Sequence, residues 1–196
     1  MRVLVACEYS GKVREAFRKL GHDAWSCDLL PSDDNSEYHY QGDVLDIIND
    51  GWDLMIGHPP CTYLSNSGVS WLYRKEGRWD QMRAGADFFK MLWECDIPKI
   101  ALENPIMHGH AKAIIGAKQT QTVQPWMFGH AESKATCLWL KGLPPLKETK
   151  NVKKEWEALP KREAQRLHHL PPSADRWKLR SETFQGIADA MAKQWG

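Results

Sequence analysis

The chain opens on a short apolar run, Arg2 to Cys7, that reads as a buried strand. Val13, Ala16, Phe17 and Leu20 follow at the spacing of one helix face, and Gly21 supplies the stop. Asp23 to Cys27, Trp52 to Gly57 and Lys99 to Leu102 are three further apolar runs, each closed by polar loop residues, and each is expected to be a strand. Between the last two, Trp79, Met82, Ala86, Phe89 and Trp93 alternate at spacings of three and four, which predicts a helix with a core-facing stripe. Strands alternating with helices imply a mostly parallel sheet covered on both faces. After Pro105 the pattern changes. Gln119 to Phe128 and Lys134 to Leu140 read as two extended runs joined by residues 129–133, predicting an antiparallel pair at a sheet edge. Residues 147–180 are interrupted by prolines and carry only weak helical periodicity around Lys153 to Leu167, so an irregular segment with one or two short helices is expected. Phe184, Ile187, Ala188, Met191, Ala192 and Trp195 mark a terminal amphipathic helix, with Ser181 as its expected N-cap, that should return to pack near the first helix.

Composition narrows this picture. A length of 196 residues at 42% hydrophobic supports one substantial core, so residues 1–196 are expected to form a single domain with a basic irregular segment at 147–180. The opening apolar run is too short for a signal peptide or a membrane span, and none occurs later, which points to a soluble, cytoplasmic protein. Five cysteines (Cys7, Cys27, Cys61, Cys95, Cys137) lack paired spacing, arguing against a disulfide framework and a CxxC zinc site. His58, His108 and His110 add no carboxylate or cysteine at zinc spacing, and no metal is expected. Most of the ten tryptophans should be core. The net charge of +1 conceals a division: residues 1–146 carry 15 Lys+Arg against 18 Asp+Glu, whereas residues 147–180 carry 10 against 5. Such a basic stretch suits contact with phosphate or simple solvation.

In an open parallel sheet, ligands bind beyond the carboxyl ends of the strands. The residues there are Glu8 after the first strand, Asp28 after the second, Gly57-His58-Pro59-Pro60-Cys61 after the third and Glu103-Asn104-Pro105 after the fourth. Two or three carboxylates and a thiol should therefore meet on one rim. The run Asp53 to Cys61 resembles the nucleophile motif of the DNA cytosine carbon-5 methyltransferases, whose hallmark is Pro-Cys after an apolar strand. Glu103-Asn104-Pro105 is similar to that family's Glu-Asn-Val motif, and Gly42-Asp43-Val44 to its short Gly-Asp-Ile element. Asp28 stands where the ribose-binding acid stands. Arg162 to Leu167, Pro171-Pro172 and Phe184 to Ala192 resemble the last two motifs. The order is the same throughout.

The resemblance implies a class I methyltransferase (Rossmann-like) α/β fold, a mostly parallel sheet with antiparallel edge strands and flanking helices, in a compact, phage-type member. It also implies S-adenosylmethionine as methyl donor and DNA, duplex or single-stranded, as substrate. Carbon 5 of cytosine becomes nucleophilic only after a thiolate adds to carbon 6. Cys61 would supply the thiolate, and Glu103 would act as the acid at the ring nitrogen if enclosure raises its pKa. Glu8, Ser10, Gly11, Asp28, Asp43 and Pro59 would surround the cofactor. Pro60, Asn104, Lys134, Lys153, Lys154 and Arg162 would contact the substrate.

Each residue also has a plainer reading: cysteines in apolar stretches are ordinarily inert, Glu103 could cap a helix, and Asp28 or Asp43 could belong to turns. The ordered set favours the enzyme. Three departures are visible. The Gly-rich first loop is here Ala6 to Lys12 with one glycine, and the Gln-x-Arg-x-Arg motif is absent, leaving Lys134 to stand in for one arginine. The long region that reads DNA sequence is missing or reduced to the basic stretch. A related enzyme acting on a free pyrimidine nucleotide, and a non-catalytic nucleic-acid or protein binder, are the alternatives.

Overall fold

In the computed structural model, which describes residues 1–196, β1 (Arg2–Ala6) is a central strand. Val3, Leu4, Val5 and Ala6 are all fully buried, as expected of a continuous apolar run covered on both faces. The other strands are β2 (Asp23–Asp28), β3 (His39–Gln41), β4 (Leu54–Gly57), β5 (Lys99–Asn104), β6 (Gln121–Val123) and β7 (Thr136–Lys141). They form one sheet in the order β3-β2-β1-β4-β5-β7-β6. Strands β1 to β5 pair in parallel, and β7 runs antiparallel to both β5 and β6. This is the mostly parallel α/β sheet that the alternating pattern predicts. The antiparallel pair differs in one respect: β7 lies inside the sheet, hydrogen-bonded on both sides, and only β6 forms the edge.

Helices α1 (Lys12–Arg18), α2 (Arg78–Glu94) and α3 (Gly109–Ile115) precede three short ones, α4 (Lys153–Ala158), α5 (Lys161–Ala164) and α6 (Arg176–Ser181), and the terminal α7 (Gln185–Trp195). On one face of the sheet, Met82, Ala86, Phe89 and Leu92 of α2 and Ala111 and Ile115 of α3 pack over Leu4, Met55, Ile100 and Trp139. On the other, Val13 and Phe17 of α1 meet Ile187, Met191 and Trp195 of α7 over Val3, Val5, Leu54 and Ile56. The expected return of the terminal helix to the first is thus found. No helix is long and apolar enough to cross a membrane.

Several boundaries differ from the sequence pattern, each for a local reason. The run Gln119 to Phe128 is strand only over β6, because Pro125, which has no N–H for a ladder, opens a 3-10 turn at residues 125–127. Ser181 ends α6 and does not cap α7, whose N-cap is Phe184. Pro160 divides the periodicity around Lys153 to Leu167 into α4 and α5. Strand β3 and helix α3 were not signalled. The first is three residues, mostly exposed; the second is capped by the His108 ring, which accepts the Ala111 N–H at 3.1 Å. At Gly186 a Cβ would overlap the Phe128 carbonyl, so the start of α7 seats against that turn only as glycine.

Candidate active site

The chain builds β1, β2 and β3 outward on one side, then crosses to the other side of β1 to build β4. Loops diverge at such a switch point and leave a crevice at the strands' carboxyl ends. Backbone bonds stitch this rim together. The His58 N–H donates to the Ala6 carbonyl at 2.9 Å, and the Glu8 N–H to the Cys27 carbonyl at 3.0 Å. The Asn104 side-chain amide donates to the Pro59 carbonyl at 2.8 Å, fixing the turn that leads to Cys61. Beyond it, the Asn66 N–H donates to the Ile106 carbonyl and the His108 N–H to the Leu64 carbonyl, so the loops after β4 and β5 are tied together.

At the centre lies a pair that the sequence did not announce. His58 Nδ1–H donates to Glu103 Oε2 at 3.0 Å, with both side chains nearly buried at 13% and 10% exposure. Burial alone would raise the Glu103 carboxyl, but the His58 bond, the Lys134 ammonium and the Thr183 hydroxyl together hold it at about 2. This corrects the expectation that enclosure would raise it. For His58, burial opposes the charged form, yet the Glu103 hydrogen bond and the charges of Glu103 and Glu8 outweigh it and push the imidazole up. Its Nε2 is buried and without a partner.

Cys61 is half-buried beside this pair. Burial pushes its thiol up, the Glu103 charge pushes it further, and Lys134 and Arg180 oppose them. Lys134 precedes β7 and is moored by Nζ bonds to the Glu182 carbonyl at 3.0 Å and the Ser181 carbonyl at 3.5 Å. Cys61, Glu103 and Lys134 therefore lie together, joined by His58, Arg180 and Thr183, which the sequence had not singled out for this site. A histidine directly after a strand at the rim was the available signal for His58. Pro60 is exposed beside Cys61 and Pro59 is buried beneath it.

The second half of the rim is acidic. Glu8 is buried, and its carboxylate accepts the Val13 N–H at 2.7 Å and the Arg14 N–H at 3.2 Å, closing the start of α1. Burial raises its pKa against the pull of His58 and those two bonds. The Ser10 hydroxyl lies 3.4 Å from Glu8 Oε1, and Gly11 takes φ 69° where a Cβ would strike the Arg14 guanidinium. Cys7 takes φ 59°, a left-handed conformation that glycine adopts without strain. Asp28 is half-buried, with one carboxylate oxygen on the Leu30 N–H at 3.0 Å and its pKa raised by burial. Asp43 caps the 3-10 turn at residues 44–46 through one oxygen, 3.0 Å from the Leu45 N–H, the turn role that its sequence context allowed. Each keeps a second oxygen free of protein partners. Leu29, Leu30 and Leu45 beside them are 73%, 40% and 39% exposed, an apolar surface awaiting cover.

Not all candidates gather here. Lys153, Lys154 and Arg162 lie exposed on α4 and α5, with Lys153 over the Trp126 ring and paired with Glu157, and none contacts the Cys61 cluster. His108 is spent as the α3 cap, and His110 packs against Tyr73 and Trp79.

No protein-family profile matches the chain, and neither does any curated protein. Solved structures do. The methyltransferase EhMeth of Entamoeba histolytica superposes with a TM-score of 0.54 at 16% identity over 78% of this chain and 57% of its own. A prophage-encoded protein of E. coli, assigned as a DNA modification methyltransferase, superposes with a TM-score of 0.50 at 16% identity over 82% of this chain and 56% of its own. At this identity the likeness is one of fold, and the fold is the class I methyltransferase arrangement of a mixed seven-stranded sheet with flanking helices. The chain spans under two thirds of the length of either structure.

Proposed function

We propose that this chain, built on the class I methyltransferase fold, transfers a methyl group from S-adenosylmethionine to carbon 5 of cytosine in DNA through a covalent bond to Cys61. The observation that carries the reading is the meeting of Cys61, Glu103 and Lys134 on the rim whose other half presents Asp28 and Asp43. Those two carboxylates each offer a free oxygen, which suits ribose hydroxyls and an adenine amine, and the uncovered Leu29, Leu30 and Leu45 suit the face of an adenine ring. When bound, S-adenosylmethionine supplies an electrophilic methyl group. The protein's own residues prepare the base. Cys61, its proton passed to water, adds through sulfur to carbon 6, while a proton at Glu103 is lent to the ring nitrogen so that carbon 5 gains the electron density. Once carbon 5 carries the methyl group, water takes its proton, the freed electron pair restores the carbon 5–carbon 6 double bond as sulfur leaves as thiolate, and the ring nitrogen returns its proton to Glu103. Lys134 and Arg180, facing Cys61, favour the thiolate. A duplex substrate has to expose the base by flipping.

Fluorine at carbon 5 cannot leave as the proton does, so DNA containing 5-fluorocytosine should trap the protein covalently when S-adenosylmethionine is supplied. Cys61→Ser should abolish trapping while cofactor binding, measured by calorimetry, is unchanged. Trapping through Cys7, Cys27, Cys95 or Cys137 in the mass spectrum would overturn the assignment. Methyl transfer to deoxycytidine nucleotides but not to DNA would identify the nucleotide-directed enzyme, and cofactor affinity without either reaction the non-catalytic binder. Asp28→Ala should weaken cofactor binding by about 1 to 3 kcal/mol, the cost of leaving hydroxyls unpaired. Unchanged affinity would place the ribose elsewhere.

A further inference from the structure

Glu103 must carry a proton when the base arrives, yet in the resting protein it is held ionised. The proton it needs lies 3.0 Å away. We propose that His58 is the proton reservoir of this site: the Nδ1 proton of a resting imidazolium crosses to Glu103 Oε2 as the base enters, and returns when the methylated base leaves. The inference rests on the cytosine carbon-5 reading above.

Three features carry it. First, the pair is direct and nearly buried, at 3.0 Å, so the hydrogen bond is largely screened from solvent. Second, His58 Nε2 is buried and free of protein partners; after Nδ1 gives up its proton, Nε2 retains the other, and the neutral ring can accept the new Glu103 O–H through Nδ1. Third, the elements around His58 contribute to the balance: Glu8 after β1, Asp28 at the end of β2 and Glu103 near the end of β5 are acidic, and Lys134 before β7 is basic. The acids favour a resting imidazolium. A base whose ring nitrogen faces Glu103 makes an ionised carboxylate costly there and draws the proton across.

The transfer balances without a further reactant: imidazolium and carboxylate become imidazole and carboxylic acid, and the acid lends its proton to the ring nitrogen. It also acts on the nucleophile. The Glu103 charge is one of the causes that hold Cys61 as a thiol, so neutralising Glu103 removes it as the base arrives. One proton movement thus readies both the acid and the sulfur. His58 touches neither the base nor the methyl group in this scheme; it is a positioning residue acting through Glu103.

Nitrogen-15 NMR of the histidine rings tests this directly. In the free wild-type protein at pH 7, His58 should be protonated on both nitrogens. In the trapped complex with 5-fluorocytosine DNA and cofactor it should be protonated on Nε2 alone. His58→Gln, which can still donate to Glu103 but cannot titrate, should lower the single-turnover rate of methyl transfer roughly tenfold or more. Its DNA and cofactor affinities should stay within about threefold of wild type, since only the chemical step is affected. Wild type should slow as pH rises through the elevated His58 pKa, and His58→Gln should lose that decline. A neutral His58 in the free protein, or a His58→Gln enzyme with the wild-type rate and pH profile, would overturn the reservoir while leaving the methyltransferase intact. A wild-type protein that 5-fluorocytosine DNA does not trap would instead overturn the methyltransferase reading, and the reservoir with it.

Discussion

The His58–Glu103 pair gives the molecule a pH dependence whose sign can be worked out from both partners. Glu103 is depressed to about 2, so its contribution to stability is present above the unfolded carboxyl value of 4.5 and is lost as pH falls through about 2. His58 is elevated, so its contribution is full below the unfolded value of 6.5 and is lost as pH rises through the folded one. Both describe one interaction and are not to be added. The stability difference between wild type and Glu103→Gln should therefore be largest between about pH 4.5 and 6.5, at about 1 to 3 kcal/mol, and shrink on either side. Urea unfolding at pH 3, 5.5 and 9 checks this; a difference constant across the three would deny the pair its charge. The same residues show how far sequence reaches. Cys61 and Glu103 were legible because Pro60-Cys61 and Glu103-Asn104, each closing an apolar run, resemble two ordered motifs of the cytosine carbon-5 methyltransferases. Their electrostatics were not, because the partner of Glu103 comes from β4, and only the register of Gly57 against Leu102 brings His58 alongside.

Elements were legible in proportion to how much of their surface they bury. β1, β4 and β5 bury both faces and α2 a continuous stripe, so their apolar periods stand out. β3 is mostly exposed and three residues long, and α4 to α6 bury little of themselves, so their patterns are faint. Lys153 and Lys154 stand out by charge and Arg162 by a motif resemblance, and neither signal says which way a short helix faces. Where an element docks is sharper still, as Gly186 illustrates: its position in an ordinary amphipathic period conceals a contact with the Phe128 backbone. Gly186→Ala should destabilise by about 1 to 3 kcal/mol, since the obstructing atoms are backbone and the helix must shift to admit a methyl group. Thermal unfolding measures it, and an unchanged midpoint would mean that the start of α7 is loosely seated.

At the scale of the whole molecule, the sheet order explains why so small a set of residues meets: reversing direction at β1 and β4 leaves one crevice, and both halves of the rim open into it. The fold class was legible because alternating strands and helices admit few sheet orders. The order of β7 and β6 was not, since an antiparallel pair reads the same whichever member lies outside. The pairing of α1 with α7 bears on how the chain comes into being. Val13 and Phe17 leave the ribosome long before Ile187, Met191 and Trp195, which cover them. During synthesis the α2–α3 face of the sheet can close first, whereas the α1 face stays bare until α7 has been made. Nascent chains stalled before α7 emerges should be cut by protease near Phe17, and chains stalled after it should resist. Equal resistance at both lengths would mean that a temporary cover forms over α1 before its final partner arrives.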